Sequence, residues 1–242
     1  MEPAITSLMY GKDIWIDVVG FLIVSFILAY AVKFYRLNKG STRNKDKYLL
    51  LISSFTLLSV SFLAKILSHI TIYKTSFETK HLGIISFTYQ TITHSNVLIF
   101  WGLLTYRILS ILALYLFFQI YSEDSSIKNQ SLTIFLLLLT VYLGQLEYYI
   151  YHLSMSVLLI LIIISLREKN PINKSSLVAI KNKTTNYLIR GFEAILLSQI
   201  IFIFLFANKF IYFGGEVIQL IGYLLILTGF ARVIKSDRTK KR

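Results

Sequence analysis

Seven apolar stretches divide this chain of 242 residues, and they constrain the fold more than any motif does. Windows of helical length fall at residues 14–35, 48–72, 95–121, 131–147, 150–166, 186–208 and 211–234. A hydrocarbon layer roughly 30 Å thick is crossed by about 20 helical residues, because each residue rises ~1.5 Å. With 55% hydrophobic residues, 15% charged residues and a mean hydropathy of +0.66, the chain is too oily to hide its apolar surface in a water-soluble core. The expectation is an all-α, multi-pass protein of the cell membrane, a single seven-helix transmembrane bundle over residues 1–242.

The fourth and fifth windows need separating. Ser131 to Leu166 is almost unbroken, and one helix of that length would run about 54 Å, too far for one crossing. The polar interruption from Gly144 to His152 holds Glu147 and His152, which favour the aqueous boundary, among tyrosines suited to the headgroup zone. A tight hairpin between two short spans is the reading that fits.

The cations give an orientation. Lys33, Arg36, Lys39, Arg43, Lys45 and Lys47 follow the first span, Lys128 follows the third, Arg167, Lys169, Lys174, Lys181 and Lys183 follow the fifth, and Arg232, Lys235, Arg238, Lys240, Lys241 and Arg242 close the chain. The opposite connections hold Lys12, Lys74, Lys80 and Lys209. Positive residues stay inside, so the N-terminus is expected outside and the C-terminus in the cytoplasm. The loop of Glu123, Asp124 and Lys128 is placed inside by parity alone. The net charge of +13 is gathered at membrane boundaries, where anionic lipid headgroups are its natural partner, and no nucleic-acid-binding motif accompanies it. The first span, flanked by Asp13, Asp17, Lys33 and Arg36 with no small-residue cleavage site, is expected to remain in the mature protein. The absence of cysteine excludes disulfides, thiolate metal sites and a cysteine nucleophile.

Ionisable residues at membrane depth cost about 2.5–3.5 kcal/mol each on insertion scales, so they are expected to face the bundle and find partners. Lys65 and His69 share one face of the second span, with Asp17 and Glu216 as partners at similar depth and Glu216 preferred for Lys65. Together with His152 and Gln219 they outline a candidate outer pocket. Arg107, deep in the third span, and Glu193, in the sixth, form a candidate intramembrane ion pair. In the seventh span Gly215, Gly222 and Gly229 recur every seven residues, a stripe that lets a neighbouring backbone approach. Glu216, Gln219 and Tyr223 make a polar stripe beside it. The histidines, His69, His81, His94 and His152, all fall on the outer half, but no short ligand spacing such as HExxH joins them, so no metal site is assigned. No catalytic constellation is present and no residue pattern names a cofactor.

A three-plus-one-plus-three parallel repeat is allowed by the topology, although no residue-level repeat is visible. The runs Gly215-Glu216-Val217-Ile218-Gln219-Leu220-Ile221-Gly222-Tyr223-Leu224-Leu225-Ile226-Leu227 and Ser61-Phe62-Leu63-Ala64-Lys65-Ile66-Leu67-Ser68-His69 resemble a loose group of uncharacterised archaeal seven-helix membrane proteins that includes sensor-like modules. That resemblance implies a seven-helix bundle and signal reception, and no activity. A retinal opsin would need a lysine within the last span, which Gly215 to Ile234 lacks. The acidic-Arg-aromatic triplet of animal G-protein-coupled receptors is missing after the third span, and so are the intramembrane prolines of sugar-transporter-like proteins. The leading expectation is a non-enzymatic sensory or small-ligand-binding bundle. Eight residues after Ile234 leave no room for an output domain, so it would signal through a separate partner. The alternative is a small transporter or channel, and a membrane metal protein or enzyme comes last.

Overall fold

A computed structural model describes residues 12–37, 45–81, 85–122, 127–143, 149–168, 176–204 and 209–240, with side chains over 14–36, 46–71, 100–122, 131–143, 149–168, 185–204 and 212–232. The described residues form seven helices: α1 (Lys12–Leu37), α2 (Lys45–His81), α3 (Ile85–Tyr121), α4 (Ile127–Tyr142), α5 (Tyr149–Glu168), α6 (Ser176–Ile203) and α7 (Lys209–Lys240). Six contain stretches long and apolar enough to cross a membrane, and α4 contributes a shorter one, Ser131–Tyr142. Helices α4 and α5 are separate and touch one another, in line with the two short spans expected there, and residues 144–148, Glu147 among them, lie outside the described residues. The polar segment before the third span extends α3 as helix instead of ending the previous connection, and α2 likewise continues past its apolar part.

Contacts fix the direction of each helix. Asp17 meets Lys65, Ser25 meets Ser59 and Phe34 meets Tyr48, so α1 and α2 are antiparallel. Gly191 against Gly222 and Phe202 against Gly215 make α6 and α7 antiparallel. At one end Tyr106 of α3 lies beside Tyr151 of α5, while His152 of α5 bonds Gln199 of α6. Further along α3 and α5, Phe117 packs on Phe192 and Arg167 pairs with Glu193, both partners belonging to α6. Helices α3 and α5 therefore run the same way, and α4 must carry the chain back between them. Its 16 residues reach about 24 Å, short of the hydrocarbon thickness, a mismatch that local thinning of the bilayer or snorkelling of flanking residues absorbs. Lys65 joins Asp17 near the start of α1 to Glu216 near the start of α7, so the start of α1 and the end of α7 lie at opposite ends of the bundle.

Six helices close a ring in the order α1, α2, α3, α5, α6, α7 and back to α1, while α4 stands outside it against α3 and α5. The ring divides into two halves of like helix order, α1–α2–α3 and α5–α6–α7, with the closest packing between α2 and α3 and between α6 and α7, and the halves meet at two seams, α3·α5 and α7·α1. Residues give the same correspondence. Asp17–Lys65 links the first two helices of one half, and His152–Gln199 links those of the other. Gly102 of α3 is pressed on Ser68 of α2, as Gly215 of α7 is on Phe202 of α6. Lys65 precedes Ser68 by three residues and Gln199 precedes Phe202 by three, so both contacts place α2 on α6 in one register. Phe117 and Phe230, each fifteen residues beyond its glycine, both pack on Phe55, at 4.7 and 5.5 Å. Phe192, which packs on Phe117, completes a four-ring knot.

Around this knot the interior is aliphatic: Ile27, Ile111, Leu158, Leu159 and Ile162 are wholly enclosed. The outer surface is oily too, with Leu22, Phe26, Leu67, Phe135, Leu138, Ile164 and Leu197 exposed. Apolar inside and apolar outside is what a bundle dissolved in lipid requires.

Candidate functional site

Polar side chains gather near the end of the bundle where α1, α3, α5 and α7 begin. The centre of the α7·α1 seam is Lys65. Its Nζ donates to Asp17 Oδ1 at 2.6 Å and to Glu216 Oε1 at 2.7 Å, joining α2 to α1 and α7. The side chains of Asp17, Lys65 and Glu216 are 0%, 9% and 5% exposed. Helix periodicity explains their meeting: each occupies the inward face of its helix, as Phe62 and Tyr223 do one or two turns deeper, with rings 5.6 Å apart. His69, one turn beyond Lys65, places Nδ1 2.9 Å from Asp17 Oδ2, off the line of a hydrogen bond, so neither atom has an aligned partner among the described residues.

From this cluster a circuit of side chains runs round the interior. Lys65 Nζ stands 5.7 Å from the centre of the Tyr106 ring, within cation–π range. Tyr106 contacts Tyr151 at 5.6 Å, and Arg107 lies 5.7 Å from the same Tyr151 ring. Tyr151 adjoins His152, whose Nδ1 is 2.7 Å from Gln199 Oε1 and whose ring lies 5.0 Å from Phe202. Phe202 touches Tyr212, 5.6 Å between rings, and Tyr212 sits one turn before Glu216 on α7. The circuit closes on Lys65. With Asp17 included, it takes residues from all six ring helices. The Tyr151 hydroxyl is buried beside Tyr106 and Ser110 without an aligned hydrogen bond among the described residues. An enclosed hydroxyl in that condition costs about 1–3 kcal/mol, which a bound polar group would recover.

Of the pocket residues expected from sequence, Lys65, His69 and Glu216 come together in one cluster. Gln219 lies below them and donates to the Tyr223 hydroxyl at 3.3 Å. His152 belongs to the circuit from the opposite seam. The expected Arg107–Glu193 pair is corrected: Glu193 bonds Arg167 of α5 near the other end of the bundle, with both groups partly exposed, while Arg107 lies over Tyr151. Depth along the membrane had matched them, but their levels in the bundle differ. His81 and His94 have side chains outside the described residues. Asp17, His69 and Glu216 do not converge as metal ligands among the described residues, because the Lys65 ammonium fills the point between the carboxylates. Tyr106, Tyr151 and Gln199 were missed in the sequence, since neutral polar residues in a span carry little of the insertion cost that draws the eye to an ion. The glycine stripe of α7 does face a neighbour, with Gly191 of α6 as its unforeseen partner.

No protein-family model, curated protein or solved structure matches this chain. The chain is an integral membrane helical bundle, and the resemblance to archaeal seven-helix proteins lends no further support to a role.

Proposed function

We propose that this bundle binds a small polar solute within the circuit, between its two three-helix halves, and carries it across the membrane without chemical change. The observation that carries this reading is the convergence of all six ring helices on one polar layer that encloses the Tyr151 hydroxyl. Carriers built from parallel repeats hold their solute at the interface of the repeats and expose it alternately by rocking one against the other. The close packing of α2 on α3 and of α6 on α7 favours movement of each pair as a unit. The Phe55, Phe117, Phe192 and Phe230 knot would be the barrier that opens. With the basic connections in the cytoplasm, the circuit lies toward the outer face, and anionic headgroups neutralise the inner one.

The test is solute uptake into proteoliposomes over a panel of sugars, amino acids, carboxylates and amines, paired with thermal stabilisation of the purified protein by the same compounds. The carrier reading predicts saturable uptake of at least one class, reduced at least tenfold by Gln199→Leu. A folded protein that moves none of them contradicts it. The wholly enclosed aliphatic residues beneath the circuit favour a second reading, a receptor that binds but does not transport. Saturable stabilisation without uptake would select it, with signalling through a separate protein.

A further inference from the structure

The α7·α1 seam sets two carboxylates, Asp17 and Glu216, against one ammonium, Lys65. With all three ionised the trio carries a surplus negative charge in a medium that penalises it. The surplus lies beside a group able to cancel it. His69 Nδ1 approaches the outer oxygen of Asp17, Oδ2, which Lys65 leaves unused, and that oxygen lacks an aligned donor among the described residues. Asp17 is sealed, whereas the His69 side chain is 20% exposed, so the imidazole connects the sealed carboxylate to the surroundings.

We infer that His69 and Asp17 form a proton-binding site coupled to solute binding at Lys65 and Glu216. This deepens the carrier reading and rests on it for the coupling, but the proton site stands on its own geometry. The step is a simple protonation: a hydronium ion gives its proton to an imidazole nitrogen lone pair and leaves as water, and the imidazolium then faces Asp17. The charged and titratable groups around this pair among the described residues are Lys65 on α2, Glu216 and Tyr212 on α7, and Tyr106 on α3. A solute that draws Lys65 away from Asp17 would raise the negative charge felt by His69 and promote proton uptake. A solute that delivers a cation would do the reverse.

The test is NMR of histidine-labelled protein in lipid nanodiscs between pH 5 and 8, with the His69 signal assigned by its loss in His69→Gln. The proposal expects His69 to titrate in this range, and Asp17→Asn to lower its proton affinity by about tenfold by removing the facing anion. A His69 ring that keeps one protonation state throughout, or one that Asp17→Asn leaves unmoved, overturns it. Should Asp17→Asn fail to fold, the wild-type titration still decides. Proteoliposome uptake separates the two proposals. A titrating His69 with no transported solute removes the carrier and leaves the proton site, whereas uptake indifferent to a pH gradient with a silent His69 removes the proton site and leaves the carrier.

Discussion

Gly191 of α6 and Gly222 of α7 face one another so closely that a Cβ on Gly191 would stand 2.9 Å from the Gly222 carbonyl oxygen, and one on Gly222 2.8 Å from that of Gly191. Backbone meets backbone there, and backbone cannot rotate aside. Gly222→Ala and Gly191→Ala are each expected to destabilise the bundle by roughly 1–3 kcal/mol, the cost of overpacking, with helix propensity recovering less than 1. Thermal unfolding in detergent would read this, and wild-type stability in both variants would contradict the packing described.

The neighbouring glycines of α7 grade the same effect. A Cβ on Gly214 meets nothing within 4 Å, one on Gly229 makes ordinary contacts from 3.4 Å, and one on Gly215 lies 2.6 Å from the Phe202 ring. Gly214→Ala should be neutral or stabilising by up to about 1 kcal/mol, since alanine is the better helix former. Gly215→Ala should be destabilising, and it should also disturb Phe202 in the circuit. Equal melting temperatures for the two variants would count against the fold.

Removing Lys65 should be costly because it strands two buried carboxylates. Lys65→Met is expected to lose about 3–5 kcal/mol, the range for breaking a buried pair from one side. Adding Asp17→Asn and Glu216→Gln to Lys65→Met should recover most of that loss by removing the stranded charge, while solute binding stays abolished. A triple variant no more stable than Lys65→Met alone would show that the cluster does not act as a unit.

The Arg167–Glu193 pair should matter little. The two side chains are 65% and 37% exposed, and such pairs contribute about 0–1 kcal/mol. Arg167→Ala should leave both stability and uptake near wild type, and a loss above roughly 2 kcal/mol would mean that the pair is more enclosed than described.

Much of this architecture is legible in the sequence because lipid makes each polar residue expensive. Spans follow from apolar length, the α4–α5 hairpin from the break after Gly144, and the partners of Lys65 from matched depth. A linear depth scale misjudged one level: Arg107 and Glu193 looked matched, yet Arg107 lies over Tyr151 near the start of α5 and Glu193 bonds Arg167 near its end. The equivalence of the halves was invisible because it lives in contacts and not in identities, with an Asp17–Lys65 ion pair standing where the second half has His152–Gln199. Gly191 escaped notice because one small residue in a span makes no stripe. The closed circuit depends on aromatic rings, which sequence reads as ordinary membrane filling.

The natural absence of cysteine makes the central claim directly measurable. Single cysteines placed at Gln199 and Tyr106, in the circuit, and at Ile162, in the aliphatic interior, can be challenged with a small water-soluble, membrane-impermeant thiol reagent in intact membranes. The account predicts modification at Gln199→Cys and Tyr106→Cys from one side of the membrane, slowed by a bound solute, and none at Ile162→Cys. Inert cysteines at both circuit positions in folded protein, or equal reaction at all three, would contradict a solute site between the two halves.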